Sequence, residues 1–258
     1  MQNNNLPIGI FDSGVGGVSV LKELVSLMPG ENYIYLGDSK NAPYGTKSRE
    51  EILENSLACA QFLADRGIKA LMVACNTATS VCISELRKIY PNMPVVGVEP
   101  AIKPALEDKN NSVIVVMATP LTLKEAKFKN LLEKYRTDDA QIIPLPCPGL
   151  MEIVEKGLSD RKEAYTYLED LFSSVRKPQG VVLGCTHYPF VKKAIKKVLG
   201  DVSIYDGGVG AAKQLKRLLT EQDLISDRTE GGEVEFVNTL NSARQNELAS
   251  MLLKSDNS

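Results

Sequence analysis

Hydrophobic and polar positions alternate along this chain in two rhythms. Short apolar runs end in glycine-rich or polar turns. Between them lie segments whose apolar residues recur at helical spacing among lysines and glutamates. In the N-terminal part, residues 7–14 (PIGIFDSG), 32–38 (NYIYLGD), 70–75 (ALMVAC) and 93–100 (MPVVGVEP) predict buried strands. Residues 18–30, 48–67 and 77–90 predict helices. The first of these stops at Pro29-Gly30. The second opens at Ser48, with Glu51 placed to complete a capping box. Strands alternating with helices predict right-handed βαβ units and a mostly parallel sheet.

The order then recurs. Residues 113–120 (VIVVMATP), 141–149 (QIIPLPCPG), 180–189 (GVVLGCTHYP) and 202–208 (VSIYDGG) repeat the first four runs in sequence. The landmark pairs Ser13/Pro120, Leu36/Leu145, Cys75/Cys185 and Val98/Asp206 are separated by 107, 109, 110 and 108 residues. Four landmarks at nearly one spacing point to an internal duplication. After Asp206 the pattern predicts a helix over 211–224, an edge strand over 231–238 and a last helix over 242–255, all assigned to the first lobe. The expected fold class is therefore α/β. It has two similar lobes, each a mostly parallel sheet flanked by helices: residues 1–99 with 207–258, and residues 100–206. The expected active site lies in the cleft between them.

Composition narrows the function. A chain of 258 residues suffices for one large or two modest domains. A net charge of −2 supplies no basic field for nucleic acid or an acidic membrane surface. No apolar run approaches the roughly 20 residues needed to span a bilayer. The opening MQNNNLPIGIF has neither a basic segment nor a long apolar core, so no secretory leader is expected. Five cysteines without a C-x-x-C pair fit free thiols in a reducing cytoplasm. With one histidine and dispersed cysteines, no metal site is expected.

Two of those cysteines carry the candidate chemistry. Cys75 and Cys185 each end an apolar strand, and each precedes a polar, threonine-bearing turn and a predicted helix. Ligands of open parallel sheets bind outside the C-terminal ends of the strands. DSGVGG (12–17) and ATPLT (118–122) end strands in the same way. A thiol is only a few per cent ionised at neutral pH, but a helix N-terminus or a nearby cation lowers its pKa. A shift to about 7 requires roughly 2 kcal/mol of preference for the anion, within reach of a partly buried helix terminus.

Three chemistries are open on these residues. Cys185 with His187 could form a hydrolytic nucleophile and base, which leaves Cys75 unused. A disulfide switch uses both cysteines but not Asn76, Thr77 and Thr186. Proton transfer uses everything: one thiolate removes a proton from one face of a carbon, and the opposing thiol returns one to the other face. Against these stands the ordinary fate of a buried cysteine, a small apolar core residue. That reading fits Cys59, Cys82 and Cys147. DSGVGG lacks a Walker lysine and can be a tight turn. PYG (43–45) reads alone as a turn, Thr119 and Thr122 as helix caps, and His187 as a residue that fixes its turn.

DSGVGG, PYGTKS, ACNTAT and GCTHYP, in this order and spacing, closely resemble the bacterial glutamate racemase family over residues 7–210. The resemblance implies cofactor-independent interconversion of L- and D-glutamate for peptidoglycan synthesis, in the cytoplasm. It also implies two α/β domains with the active site between them, and a homodimer. By position, Cys75 would deprotonate D-glutamate and Cys185 L-glutamate. Asp12 would assist at Cys75, and His187 at Cys185. Ser13, Tyr44, Gly45, Asn76, Thr77 and Thr186 match the family's substrate contacts, with Asp12 and His187 also at the substrate and Thr119 and Thr122 as additions. A family glutamate falls on Glu155, with Glu152 the less natural match. Two departures bear on secondary contacts and the domain interface. DGG (206–208) stands where many members have Asp-Ser-Gly. TLKEAKF (122–128) lacks a serine and tyrosine often found there. No N-terminal extension like that of members activated by a peptidoglycan precursor is present, so such activation is not expected.

Overall fold

The computed structural model describes residues 4–135, 137 and 139–255. The termini 1–3 and 256–258, which the sequence reading assigned to the first lobe, lie outside the described residues. The chain divides into two compact units. One comprises the residues up to Glu99 together with Gly208–Ser255; the other is Pro100–Gly207.

The first unit runs β1 (Ile8–Asp12), α1 (Val18–Leu27), β2 (Tyr33–Gly37), a 3-10 turn (Tyr44–Thr46), α2 (Arg49–Asp65), β3 (Ala70–Val73), α3 (Asn76–Ile89) and β4 (Val95–Gly97). The second unit carries α4 (Ile102–Glu107), β5 (Val113–Ala118), α5 (Pro120–Lys124), α6 (Ala126–Lys134), β6 (Gln141–Pro146), α7 (Leu150–Glu155), α8 (Lys162–Ser173), β7 (Gly180–Gly184), a 3-10 turn (Tyr188–Val191), α9 (Lys192–Leu199) and β8 (Ser203–Asp206). The chain then returns to the first unit with α10 (Gly208–Glu221), β9 (Val234–Asn238) and α11 (Ala243–Lys254).

Both sheets are parallel throughout. Their strand orders are β4-β3-β1-β2-β9 and β6-β5-β7-β8. Matched by the sequence repeat, β4-β3-β1-β2 and β8-β7-β5-β6 are one order used twice. β1 and β5 occupy equivalent internal positions, and every residue of both is buried. Strands covered by helices on both faces need apolar side chains at every position, which is why these runs do not alternate. In the second unit, Val115, Met117, Val181 and Leu183 pack beneath α7, α8 and α9 through Leu150, Leu168 and Ile195. Ile114, Val116 and Val182 pack on the other face against Ile102 and Phe128.

The strands fall inside the predicted spans, whereas α3 starts at Asn76 and α10 at Gly208, ahead of the predicted 77 and 211. At two strand ends, the residue that closes the run already caps the next helix. Cys75 is the N-cap of α3, and Thr119 is the N-cap of α5, with Pro120 in its first turn. The Ser48–Glu51 capping box forms as expected. At the other end of the first sheet, Lys69 and Glu31 form an ion pair at 2.5 Å with both side chains 2% exposed. Ser226 donates its backbone N–H to Glu31 at 2.7 Å. This contact fixes the segment after α10 against the starts of β2 and β3.

Candidate active site

Two clusters of polar side chains stand at the C-terminal ends of the strands, one in each unit. In the first, β3 ends and Cys75 turns directly into α3. The Cys75 Sγ accepts the Ala78 backbone N–H at 3.4 Å, and its thiol donates to Ser13 Oγ at 3.7 Å. Cys75 is only 5% exposed. A sulfur capping a helix of 14 residues sits in the field of the helix N-terminus, which favours the thiolate.

Asp12 closes the neighbouring strand β1 and is fully buried. Its Oδ1 accepts the Gly14 N–H at 2.9 Å, which tightens the DSGVGG turn. Gly17 is required there. A Cβ at that position would lie 2.6 Å from the Asp12 Cβ and 2.9 Å from the Ala74 Cβ. The glycines thus let α1 start close against the ends of β1 and β3. Tyr44 is buried and donates its hydroxyl to Asp38 Oδ2 at 2.6 Å. Burial first, then the nearby Cys59 and Asp38, pushes the Tyr44 hydroxyl far above its ordinary range, so it stays protonated. Asn76 and Thr77 open α3 and are buried. The Asn76 Nδ2 is buried with no hydrogen-bond partner, and an unmet buried donor is costly until something accepts from it.

The second cluster is built differently. Ala118 and Gly184 pair where β5 and β7 end, so Thr119 and Cys185 leave adjacent strands side by side. No α-helix begins at Cys185. The 3-10 turn Tyr188–Val191, with Pro189 in its first turn, intervenes before α9. A helix terminus is therefore not what acts on this thiol. His187 takes its place, with Nδ1 3.8 Å from the Cys185 Sγ and Nε2 3.1 Å from Glu155 Oε1. The His187 side chain is 1% exposed and that of Glu155 26%. With Nε2–H donating to the carboxylate, Nδ1 presents its lone pair to the thiol. Glu152, on the same short helix α7, is exposed, so Glu155 is the carboxylate at the histidine. Thr119 and Thr122 join through their hydroxyls at 2.9 Å, and Thr122 donates its N–H to Thr119 Oγ1 at 3.2 Å, as a helix cap does. Thr186 is buried beside Cys185.

The remaining cysteines behave as core residues. None of the five is in a disulfide. Burial pushes the thiols of Cys59 and Cys147 well above the usual range. Cys147 donates to the Leu145 carbonyl at 3.3 Å, and Tyr188 donates to the Cys147 carbonyl at 3.2 Å. Among the described residues, no group of three or more His, Cys, Asp or Glu is placed to hold a metal ion, and no helix is long and apolar enough to cross a membrane.

So far the geometry gives two reduced cysteines at equivalent places in one repeated topology. Residues 8–215 match the family model for Asp/Glu/hydantoin racemases. A glutamate racemase from Clostridium acetobutylicum is 50% identical over 255 residues, covering 98% of this chain and 99% of that one. The chain belongs to the Asp/Glu/hydantoin racemase family. It is a racemase, an isomerase by reaction class. The structure of glutamate racemase from Francisella tularensis in complex with D-glutamate matches at a TM-score of 0.84 and 32% identity, covering 98% of this racemase and 95% of that chain. That of the Escherichia coli enzyme, in complex with L-glutamate and the activator UDP-MurNAc-Ala, matches at 0.83 and 30%, covering 96% and 95%.

One polar residue of the first cluster escaped the sequence reading. Asp38 is 1% exposed and holds Tyr44. Its only signal is its place six residues before the tyrosine, at the end of a predicted strand, where a buried charge needs several donors.

Proposed function

We propose that this racemase interconverts L- and D-glutamate without a cofactor, by proton transfer between Cys75 and Cys185. As a thiolate, Cys75 removes the α-proton of D-glutamate. The electron pair left on carbon delocalises into the α-carboxylate, and the Cys185 thiol returns a proton to the opposite face. L-glutamate is turned over by the reverse of these steps. One proton leaves the carbon and one arrives, so nothing is oxidised and no co-reactant is consumed.

The observation that carries this reading is the repetition of one chemical position. A reduced cysteine follows β3 in the order β4-β3-β1-β2, and another follows β7 in β8-β7-β5-β6. A lone Cys–His nucleophile gives Cys75 no task. The surroundings of each thiol suit its half of the reaction. The field of α3 favours an anionic Cys75. The His187–Glu155 pair can accept and return the Cys185 proton. The unpartnered Asn76 amide, with Thr77 at the start of α3, suits a substrate carboxylate. Asp12 and Ser13 suit the ammonium group and Cys75, while Tyr44, Gly45, Thr119, Thr122 and Thr186 complete the contacts. The glutamate bound in the two structural relatives supports the choice of substrate. D-Glutamate is a building block of peptidoglycan, so the enzyme serves cell-wall synthesis, in the cytoplasm and as a homodimer.

The test is direct. Purified protein is incubated with L-glutamate, D-glutamate and each aspartate enantiomer, without added cofactor, and optical activity is followed by circular dichroism. Decay of the signal to zero from either glutamate enantiomer, faster than from aspartate, is the expected result. Turnover of aspartate alone would keep the chemistry and overturn the substrate. No decay with folded protein would overturn the reading.

A further inference from the structure

Asp38 follows β2 and is 1% exposed. Burying a carboxylate that far from water is costly unless its oxygens are hydrogen-bonded. Here they are. Oδ2 accepts from the Tyr44 hydroxyl at 2.6 Å and from Asn41 Nδ2 at 3.1 Å. Oδ1 accepts from Asn41 Nδ2 at 3.0 Å and from Thr239 Oγ1 at 2.8 Å. The backbone adds three more ties. Asp38 N–H donates to the Asp12 carbonyl at 2.8 Å, Asn41 N–H to the Asp38 carbonyl at 3.0 Å, and Thr239 N–H to the Gly37 carbonyl at 3.1 Å. Thr239 Oγ1 also accepts the Lys40 N–H at 3.0 Å.

Three segments therefore converge on Asp38. The Tyr44–Thr46 turn and the residue after β9 bind its carboxylate, and the end of β1 binds its backbone N–H through the Asp12 carbonyl. The Tyr44 hydroxyl is committed by its shortest hydrogen bond to Asp38, inside the protein. We propose that Asp38 is a positioning residue of this racemase. Its carboxylate locks the Tyr44–Gly45 turn and couples that turn to Thr239 in the C-terminal segment, with the Tyr44 phenol as the anchor of the turn. This rests on the proposed glutamate racemisation.

A turn that binds substrate equally before and during proton transfer affects KM and leaves kcat nearly alone. Loss of folded enzyme does the opposite: the apparent kcat falls and KM holds. The experiment compares wild type, Asp38→Asn, Tyr44→Phe, Thr239→Val and the Asp38→Asn/Tyr44→Phe double variant. Rates are taken on L- and D-glutamate and normalised to folded protein. Asp38→Asn is expected to raise KM by about tenfold or more with kcat within about threefold of wild type. Thr239→Val, which removes one of the four bonds, raises KM by about threefold in the same pattern. The double variant is no worse than the poorer single, because both substitutions break one interaction. Multiplicative effects would mean that Tyr44 and Asp38 act independently, and would overturn the anchor assignment. An unchanged KM with reduced active fraction would reduce Asp38 to a structural residue. If Asp38→Asn does not fold, Tyr44→Phe and Thr239→Val carry the KM-against-kcat comparison: a raised KM at held kcat supports the assignment, and an unchanged KM in both overturns it. A wild type that fails to racemise glutamate refutes the functional reading instead, so the two failures are separable.

Discussion

At the residue scale, the two cysteines are equivalent in place and unlike in surroundings. Cys75 has a helix terminus and a serine hydroxyl. Cys185 has an imidazole backed by a carboxylate. Glu155 holds the Nε2–H of His187, so Glu155→Gln removes the charge that stabilises a protonated ring and keeps most of the shape. We expect kcat/KM to fall roughly 10- to 100-fold, below the range for groups that transfer the proton themselves, because Glu155 acts through His187. The fall must be equal in the two directions, because the enantiomers have equal free energy in water. Progress curves from L- and D-glutamate measure it; an unchanged rate would remove Glu155 from the proton path. Cys75, Cys185 and their polar neighbours were legible in the sequence because their motifs are short and contiguous. The resemblance already favoured Glu155 over Glu152, and the rotation of α7 brings Glu155 to the histidine. Asp38 was not legible, because its partners Tyr44 and Thr239 come together only when β9 lies beside β2.

At the element scale, the apolar runs located the strands, and the termini of those runs were the uncertain part. A residue such as Cys75 or Thr119 ends a strand by pattern and caps a helix by hydrogen bonding, and periodicity alone cannot divide those tasks. The Ser48–Glu51 box was readable because both partners lie within one turn. The region after Cys185 departed from expectation for a stated reason. His187-Tyr188-Pro189 forms a 3-10 turn, and α9 starts only at Lys192. The repeated topology thus places both thiols alike, while local sequence gives each its own polar neighbours. The helices α4 through α8 of the second unit were less legible. Several are short, and their apolar faces are completed by partners distant in sequence, as Phe128 is by Ile114 and Val182.

At the scale of the molecule, each unit has its own parallel sheet and core, and the buried acids of both respond to alkali. Burial raises Cys59 and Cys147 above their ordinary 9.0, and Tyr33, Tyr44 and Tyr188 above 10.0. Below pH 9 these groups are protonated whether the chain is folded or not, so they add no pH dependence. Above it the unfolded chain releases protons that the folded one retains, and stability falls by about 1.4 kcal/mol per pH unit for each group titrating. The melting temperature should be nearly level from pH 7 to about 8.5 and drop progressively from about pH 9 to 11. A level melting temperature to pH 11 would show that these groups are not buried as described. The central claim is the proposed exchange of the substrate α-proton by the thiols of Cys75 and Cys185. Its most direct measurement follows the α-proton by NMR in deuterated water for wild type, Cys75→Ala and Cys185→Ala, each checked for folding by circular dichroism. The account predicts deuterium at the α-carbon with loss of optical activity in wild type, and no racemisation by either variant. Near-wild-type racemisation by either variant would contradict it.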